Sequence, residues 1–115
     1  MFNLNDKRFT AKENSESGEV SSGTVFHYYQ ESNLIWADYS GGSILKGQLI
    51  GRVLTKNTFE IRYQHINQAG EIKTGYCKTI VSKSPKGLQL DEKWEWTSGG
   101  KGKGTSVLVE LTSYI

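Results

Sequence analysis

The segment 88–97 places one carboxylate among tryptophans. Its residues alternate between apolar and polar types, so Glu92, Trp94 and Trp96 project from the same side of an extended strand. We expect that side to face the core. A carboxyl group in a dry environment has a raised pKa, because desolvation disfavours its charged form. Glu92 could therefore orient a bound ligand or act as an acid.

A structural role for Glu92 is the alternative. The carboxyl group would then form an internal hydrogen bond to Tyr28, Tyr63 or His65, or would lie at the rim of the fold where the strand twists. If Glu92 contacts a ligand, Glu92→Gln should weaken ligand binding and leave the fold intact. Lost stability with unchanged ligand binding would identify a structural residue.

His65 is a second candidate, because it ends a strand-like segment just before the turn at Asn67. This position predicts a side chain at the mouth of the fold, as a hydrogen-bonded rim residue or as a ligand contact. His27 lies in a separate hairpin, and no HxH or HxxxH spacing suggests a metal site. Cys77 would lie roughly 17 Å from His65 at ~3.3 Å per residue, too far for a nucleophile and its base. We therefore predict no metal and no catalytic residue.

The elements that position these residues are predicted to be strands. Segments rich in Val, Ile, Thr, Tyr, Phe and Trp are separated by short turns, and none sustains the apolar spacing of a helix. Short links join antiparallel neighbours. The sequence predicts a short opening strand at 8–11, a polar loop at 12–18, and further strands at 23–31, 34–39, 43–54, 58–66, 71–81, 88–97 and 105–112.

Consecutive antiparallel strands leave two exposed sheet edges unless the sheet closes on itself. We therefore predict an all-β fold, an up-and-down antiparallel barrel of about eight strands. Residues 1–115 would form a single domain, to which 1–17 contribute a short strand and a loop. Gly47 and Gly51 within one long strand fit the bending that a barrel requires. A β-sandwich is the alternative.

The lengths of two turns predict how their hairpins pair. A loop at 67–70 would place His65 opposite Ile72, so that Ile72 and Tyr76 face inward and Cys77 faces outward. A one-residue change in this loop would reverse the faces of the strand that follows it.

A two-residue turn at 32–33 would place Tyr29 opposite Trp36 and His27 opposite Asp38. The histidine and the aspartate would then form a cross-strand ionic pair of modest energy, ~0.2–1 kcal/mol. A three-residue turn would change the pairing, so the direction of Trp36 remains open.

Composition and charge narrow the classes of partner. The formal charge is +2, and basic residues are interspersed with acidic ones, so no electrostatic surface for nucleic acid is expected. The first residues lack the apolar core of a signal peptide, and no apolar run is long enough to span a bilayer. A single cysteine, Cys77, cannot form an internal disulfide. These features predict a cytoplasmic protein without a membrane partner.

Several short motifs resemble a family of small bacterial all-β proteins that are often labelled "N-acetylglutamate synthase". The motifs are YSGG at 39–42, KGQLIG at 46–51, RYQHIN at 62–67, GYC at 75–77 and EKWEWTSG at 92–99. The resemblance brings no catalytic residues with it. The label would imply an acetyltransferase in which a helix N-terminus holds the cofactor pyrophosphate. The glycine-rich loop at 99–104 instead joins two predicted strands, so we expect neither that activity nor a cofactor.

The pattern of segments also resembles the calycin-type barrels, which include lipocalins and avidins, although the Gly-x-Trp signature near their first strand is missing. The chain contains 3 Trp, 6 Tyr and 4 Phe, which could line a ligand site or simply fill a barrel. We predict a barrel that binds a small, partly apolar molecule in its open end. A non-enzymatic structural or interaction module with a filled core is the alternative. An enzyme is less expected than either. The predicted ligand-binding residues are Tyr28, Tyr63, His65, Glu92, Trp94 and Trp96.

Overall fold

The computed structural model describes residues 2–15 and 18–112 of the 115-residue chain. In this part of the chain no helix could cross a membrane, since none is both long and apolar enough. The regular elements are eight strands: β1 (Lys7–Asn14), β2 (Val25–Glu31), β3 (Leu34–Gly41), β4 (Ile44–Thr55), β5 (Thr58–Asn67), β6 (Ile72–Ser84), β7 (Gly87–Ser98) and β8 (Lys103–Leu111).

The strands form a closed antiparallel barrel in which each pairs with its neighbours in sequence. β1 closes the barrel by pairing with β8, from Arg8 opposite Leu111 to Asn14 opposite Ser106. The opening strand is therefore longer than the sequence predicts, because its second half is held by this closing ladder. The predicted up-and-down barrel is confirmed, and the sandwich alternative is wrong.

The N-terminal segment covers one end of the barrel. Leu4 is fully buried, and its backbone nitrogen donates to the Gln30 side chain at 3.0 Å. The Asn5 side chain in turn accepts from the backbone nitrogen of Gln30 at 3.1 Å. The rings of Phe2 and Phe59 lie 5.7 Å apart. Residues 2–5 therefore cover this end of the barrel.

Aromatic side chains fill the interior next to this covered end. Phe9 meets the edge of Tyr28 at 5.4 Å between ring centroids, and Tyr28 meets Phe59 at 6.2 Å. All three side chains are fully buried. Tyr28 therefore belongs to a packed core, as expected for an eight-stranded barrel whose interior is only wide enough for side chains.

The predicted pairing of β5 with β6 is wrong by one residue. His65 lies opposite Lys73, and Ile66 lies opposite Ile72. The faces of β6 are accordingly reversed: Cys77 is buried, Tyr76 points outward and Ile72 is 64% exposed. The cause is that five residues, 67–71, separate the paired residues Ile66 and Ile72, instead of the four residues of the loop inferred from the sequence.

The predicted pairing of β2 with β3 is correct, since His27 lies opposite Asp38 and Tyr29 opposite Trp36. The predicted ionic pair is nevertheless wrong. His27 Nε2 contacts Asp6 at 2.7 Å, because the N-terminal segment lies against this strand. Trp36 points outward, where its ring stacks on Tyr29 at 5.7 Å.

Candidate functional site

The inward face of β7 carries the residues from which the sequence analysis began. Leu90 is fully buried, and Glu92 and Trp94 are also buried. Trp96 is partly buried and packs against the core. The carboxylate and both tryptophans therefore point into the barrel, as the alternation of the segment predicts.

A cavity of about 40 Å³ lies at the end of the barrel opposite the N-terminal segment. This volume is enough for roughly three water molecules, at about 10–15 Å³ each. Five of the six predicted residues line it: Tyr63, His65, Glu92, Trp94 and Trp96. The sixth, Tyr28, lies deeper, in the packed core. Asn14, Glu19, Val20, Tyr39 and Ser106 also line the cavity and were not predicted.

The two tryptophans form an aromatic wall of the cavity. Their ring centroids are 5.5 Å apart, and Trp96 also meets the rings of Tyr63 at 5.9 Å and His65 at 5.7 Å. Trp94 Nε1 donates to Asn14 Oδ1 at 3.1 Å, which fixes this indole against β1. The wall is therefore held by contacts within the protein and is formed before any ligand arrives.

Two glycines make room for the tyrosines of this end. A Cβ atom on Gly47 would lie 2.3 Å from the Tyr39 ring, and one on Gly75 would lie 2.1 Å from the Tyr63 ring. Tyr39 and Tyr63 can therefore lie flat across neighbouring strands. Gly47 was predicted to allow strand bending, but the structure gives it the second task of accommodating an aromatic ring.

Glu92 is a buried carboxyl group with one neutral partner. Ser106 Oγ donates to Glu92 Oε1 at 2.7 Å. Burial raises the pKa of Glu92 to about 7, and the hydrogen bond from Ser106 lowers it by less than burial raises it. The partner lies on β8 and is none of the three that the sequence suggested. The protein therefore holds a group that gains or loses a proton near neutral pH inside its cavity.

A polar cluster at the rim was not predicted from the sequence. Glu19, which belongs to no strand, accepts from His65 Nε2 at 2.8 Å, Asn67 Nδ2 at 3.1 Å and Lys73 Nζ at 2.6 Å. His65 Nδ1 also contacts the Tyr39 hydroxyl at 3.0 Å. The correct register would have indicated the cluster, since an imidazole directly opposite a lysine at a half-buried rim favours an anion between them.

The balance of burial and hydrogen bonding sets the charge of Glu19. Burial acts to raise the pKa of its carboxyl group, but the hydrogen bonds from Lys73, His65 and Asn67 together outweigh burial. The pKa is therefore lowered, and the carboxylate is charged at neutral pH. Glu19 thus closes the rim as an anion.

The Cys77 thiol and the Tyr28 hydroxyl, both in the interior, are held in their unreactive protonated forms. Burial raises the pKa of the Cys77 thiol, with a further contribution from the charge of Glu92, so the reactive thiolate is disfavoured. The Tyr28 hydroxyl is buried and has no hydrogen-bond partner among the described residues. Burial also raises the pKa of Tyr28. His65 makes its hydrogen bonds to Glu19 and Tyr39, which leaves it unsuited as a base for Cys77.

The arrangement has no evident ligand set for a metal ion. Within residues 2–15 and 18–112, no three or more His, Cys, Asp or Glu side chains are grouped closely enough to hold one. The chemistry that the cavity offers is apolar contact with aromatic rings and hydrogen bonding at His65 and Glu92.

The fold and the cavity define a small calycin-like barrel with an aromatic wall at one end. Residues 2–111 match the family model described as avidin-like protein, so the chain belongs to the avidin-like family. No curated protein and no solved structure matches the chain.

Proposed function

We propose that this protein binds a small, partly apolar molecule at the open end of its barrel. The observation that carries the proposal is the preformed aromatic wall of Trp94, Trp96 and Tyr63, with His65 and Glu92 as polar groups beside it. Apolar walls with a few convergent polar groups are typical of small-molecule sites. Membership of the avidin-like family, whose barrels typically bind small ligands, supports the same function.

The size of the cavity determines how a ligand would enter. Ligand sites commonly enclose roughly 300–1,000 Å³, far more than the space of about 40 Å³ found here. The segment 18–20 lines the cavity but lies outside the strands, so it can move without breaking the barrel ladder. Ligand binding therefore requires that this segment, with Glu19 and Val20, be displaced from the opening.

Binding fits the architecture better than acetyl transfer does. A helix N-terminus that could hold a cofactor pyrophosphate is missing from the described residues, whose regular elements are all strands. The loop at 99–102 joins β7 to β8, as a hairpin connection. A cytoplasmic location is part of the proposal, because the single cysteine is free and buried and the chain has no second cysteine for an internal disulfide.

A non-enzymatic module with a filled core is the second candidate, and the small cavity favours it. Native mass spectrometry of the protein after incubation with a metabolite extract distinguishes the two. A ligand-binding barrel should gain a discrete small mass. A filled module should show only the mass of the chain.

Two tryptophan variants test whether any bound molecule lies at the opening. Trp96→Ala removes part of the cavity wall, whereas Trp36→Ala removes an outward ring of the same type. We expect the bound mass to be lost in Trp96→Ala and retained in Trp36→Ala. Equal loss in both variants, or retention in both, would refute binding at this end.

A further inference from the structure

Three side-chain donors at the barrel opening converge on a single carboxylate. His65 Nε2, Asn67 Nδ2 and Lys73 Nζ all lie within 3.1 Å of oxygen atoms of Glu19. The three donors come from two adjacent strands, β5 and β6. Charge-assisted hydrogen bonds of this kind are the strong ones in proteins.

Contacts other than those with Glu19 also hold the donors. His65 and Lys73 are directly opposite each other in the β5–β6 ladder. The Asn67 side-chain oxygen accepts from the backbone nitrogens of Ala69 and Glu71 at 3.1 and 3.0 Å, which fixes its amide. Lys73 Nζ lies 5.2 Å from the centroid of the Trp96 ring. The donor set is therefore part of the barrel.

The acceptor, by contrast, comes from the link between β1 and β2. Around Glu19, the main chain of this link is held by turn and side-chain hydrogen bonds, among them Gly18 N to the Ser15 carbonyl at 2.9 Å, Ser43 Oγ to the Glu19 carbonyl at 3.1 Å and Asn14 Nδ2 to the Val20 carbonyl at 2.9 Å. Residues 18–20 belong to no strand, so none of these bonds is part of the barrel ladder. The Glu19 carboxylate can thus be displaced from the three donors by another carboxylate.

We propose that His65, Asn67 and Lys73 form a carboxylate-binding site for the ligand, and that Glu19 occupies this site until a ligand replaces it. The inference rests on the proposed function, because the ligand that displaces segment 18–20 also removes the Glu19 carboxylate. The expected ligand is a molecule with a flat, apolar body and one carboxylate.

The charge of Lys73 explains why the ligand should be an anion. Its side chain is only 15% exposed with Glu19 in place, so removal of that carboxylate without a replacement would take away the ion pair of a largely buried ammonium group. A neutral ligand would leave it in that state, whereas a carboxylate would restore the ion pair. The Glu71 carboxylate, 2.8 Å from Asn67 Nδ2, adds a negative charge nearby and favours a monoanion over a dianion.

The neighbouring cavity wall determines which chemical group should be attached to the ligand carboxylate. Trp96 contacts both the donor set, through Lys73, and the aromatic wall, through Trp94. A ligand carboxylate on the donors would therefore place its attached body against the indoles. Planar aromatic carboxylates fit this arrangement.

The first test replaces the missing carboxylate by acetate. Glu19→Ala empties the donor set, and Glu31→Ala removes an exposed carboxylate at the other end of the barrel as a matched control. Acetate, compared with chloride at equal ionic strength, should raise the melting temperature of Glu19→Ala and leave wild type and Glu31→Ala unchanged. Equal responses of the three proteins would overturn the carboxylate site.

The second test measures the affinity of 2-naphthoate and of its neutral counterpart 2-naphthamide by tryptophan fluorescence. Glu19→Ala should bind 2-naphthoate roughly tenfold or more tightly than wild type does, as expected for a recovered charge-assisted contact, with little gain for 2-naphthamide. Glu19→Gln, which keeps the shape of the side chain without its charge, should show the same direction if Glu19→Ala does not fold.

The two tests separate the failure of this inference from the failure of the proposed function. Binding of both naphthalene compounds with equal affinity in every variant would overturn the carboxylate site while leaving small-molecule binding intact. Stabilisation of Glu19→Ala by acetate without binding of either naphthalene compound would support the carboxylate site and count against a cavity ligand.

Discussion

The substitution Glu92→Gln should make the protein more stable at alkaline pH. The raised pKa of Glu92 means that the folded state holds a proton at this carboxyl group that the unfolded chain has already released. Between the unfolded value of 4.5 and the folded value of about 7, the free energy of unfolding therefore falls as the pH rises. Glutamine resembles the protonated acid and carries no such dependence.

The size of the effect follows from the difference between the two pKa values. Each unit corresponds to about 1.4 kcal/mol, so a change from 4.5 to about 7 corresponds to about 3 kcal/mol. The penalty should be absent below about pH 4.5 and complete above about pH 7. Because the amide oxygen of the introduced glutamine can still accept from Ser106, the variant should be more stable than wild type by up to about 3 kcal/mol at pH 8 to 9.

Urea denaturation of both proteins between pH 5 and pH 9 measures this difference. All other titratable groups are present in both proteins, so the difference between the two curves isolates Glu92. Glu95→Gln removes an exposed carboxylate from the outward side of the same strand and is the matched control. Parallel curves for wild type and Glu92→Gln would refute a buried carboxyl group with a raised pKa.

Three further predictions concern the ends of the barrel. Gly75→Ala should lower the free energy of unfolding by ~1–3 kcal/mol in urea denaturation, because the added methyl group would lie 2.1 Å from the Tyr63 ring. Gly70→Ala is the comparison, since it introduces backbone strain at a positive φ but no steric clash, whereas Gly75→Ala introduces the clash without that strain. Leu4→Ala should cost ~2–5 kcal/mol, since the side chain is fully buried, and a loss below ~1 kcal/mol would contradict a packed covered end. The lowered pKa of Glu19 contributes stability that is present above its unfolded value of 4.5 and is lost as the pH falls through the folded value. When the free energy of unfolding is measured at decreasing pH, Glu19→Gln should therefore lose less stability than wild type. An identical pH profile for the two proteins would contradict the rim contacts.

The fold and one wall of the site follow from local sequence patterns. Alternation along 88–97 predicts which side of β7 faces inward, because side chains of a strand point to opposite faces in turn. Short turns between segments predict antiparallel neighbours and hence an up-and-down barrel. These inferences need only residues that are close in sequence.

The register of β5 and β6 could not be predicted from the loop length alone. Asn67 ends β5 with a buried side chain that accepts from two backbone nitrogens of the following link. This side chain provides partners for the backbone of the turn and allows five residues, 67–71, between the paired residues Ile66 and Ile72. Local side-chain chemistry of this kind decides the register, and one residue reverses the whole inward face of β6.

The rim cluster depends on contacts between residues far apart in sequence. Glu19 meets Lys73 across 54 positions, and no local pattern around Glu19 marks it as a partner of β5 or β6. The same holds for Ser106, which meets Glu92 only because β8 pairs with β7. Such residues can be identified only once the strands are placed relative to one another.

The most direct measurement of ligand binding at the barrel opening uses the indole N–H signals of the three tryptophans in a nitrogen-15 correlation spectrum. Trp94 and Trp96 line the cavity, whereas Trp36 lies on the outer surface. Addition of 2-naphthoate to Glu19→Ala, or of a metabolite extract to wild type, should shift the signals of Trp94 and Trp96 and leave that of Trp36 in place. A shift of Trp36 alone, or no shift of any of the three in both titrations, would contradict binding at this end.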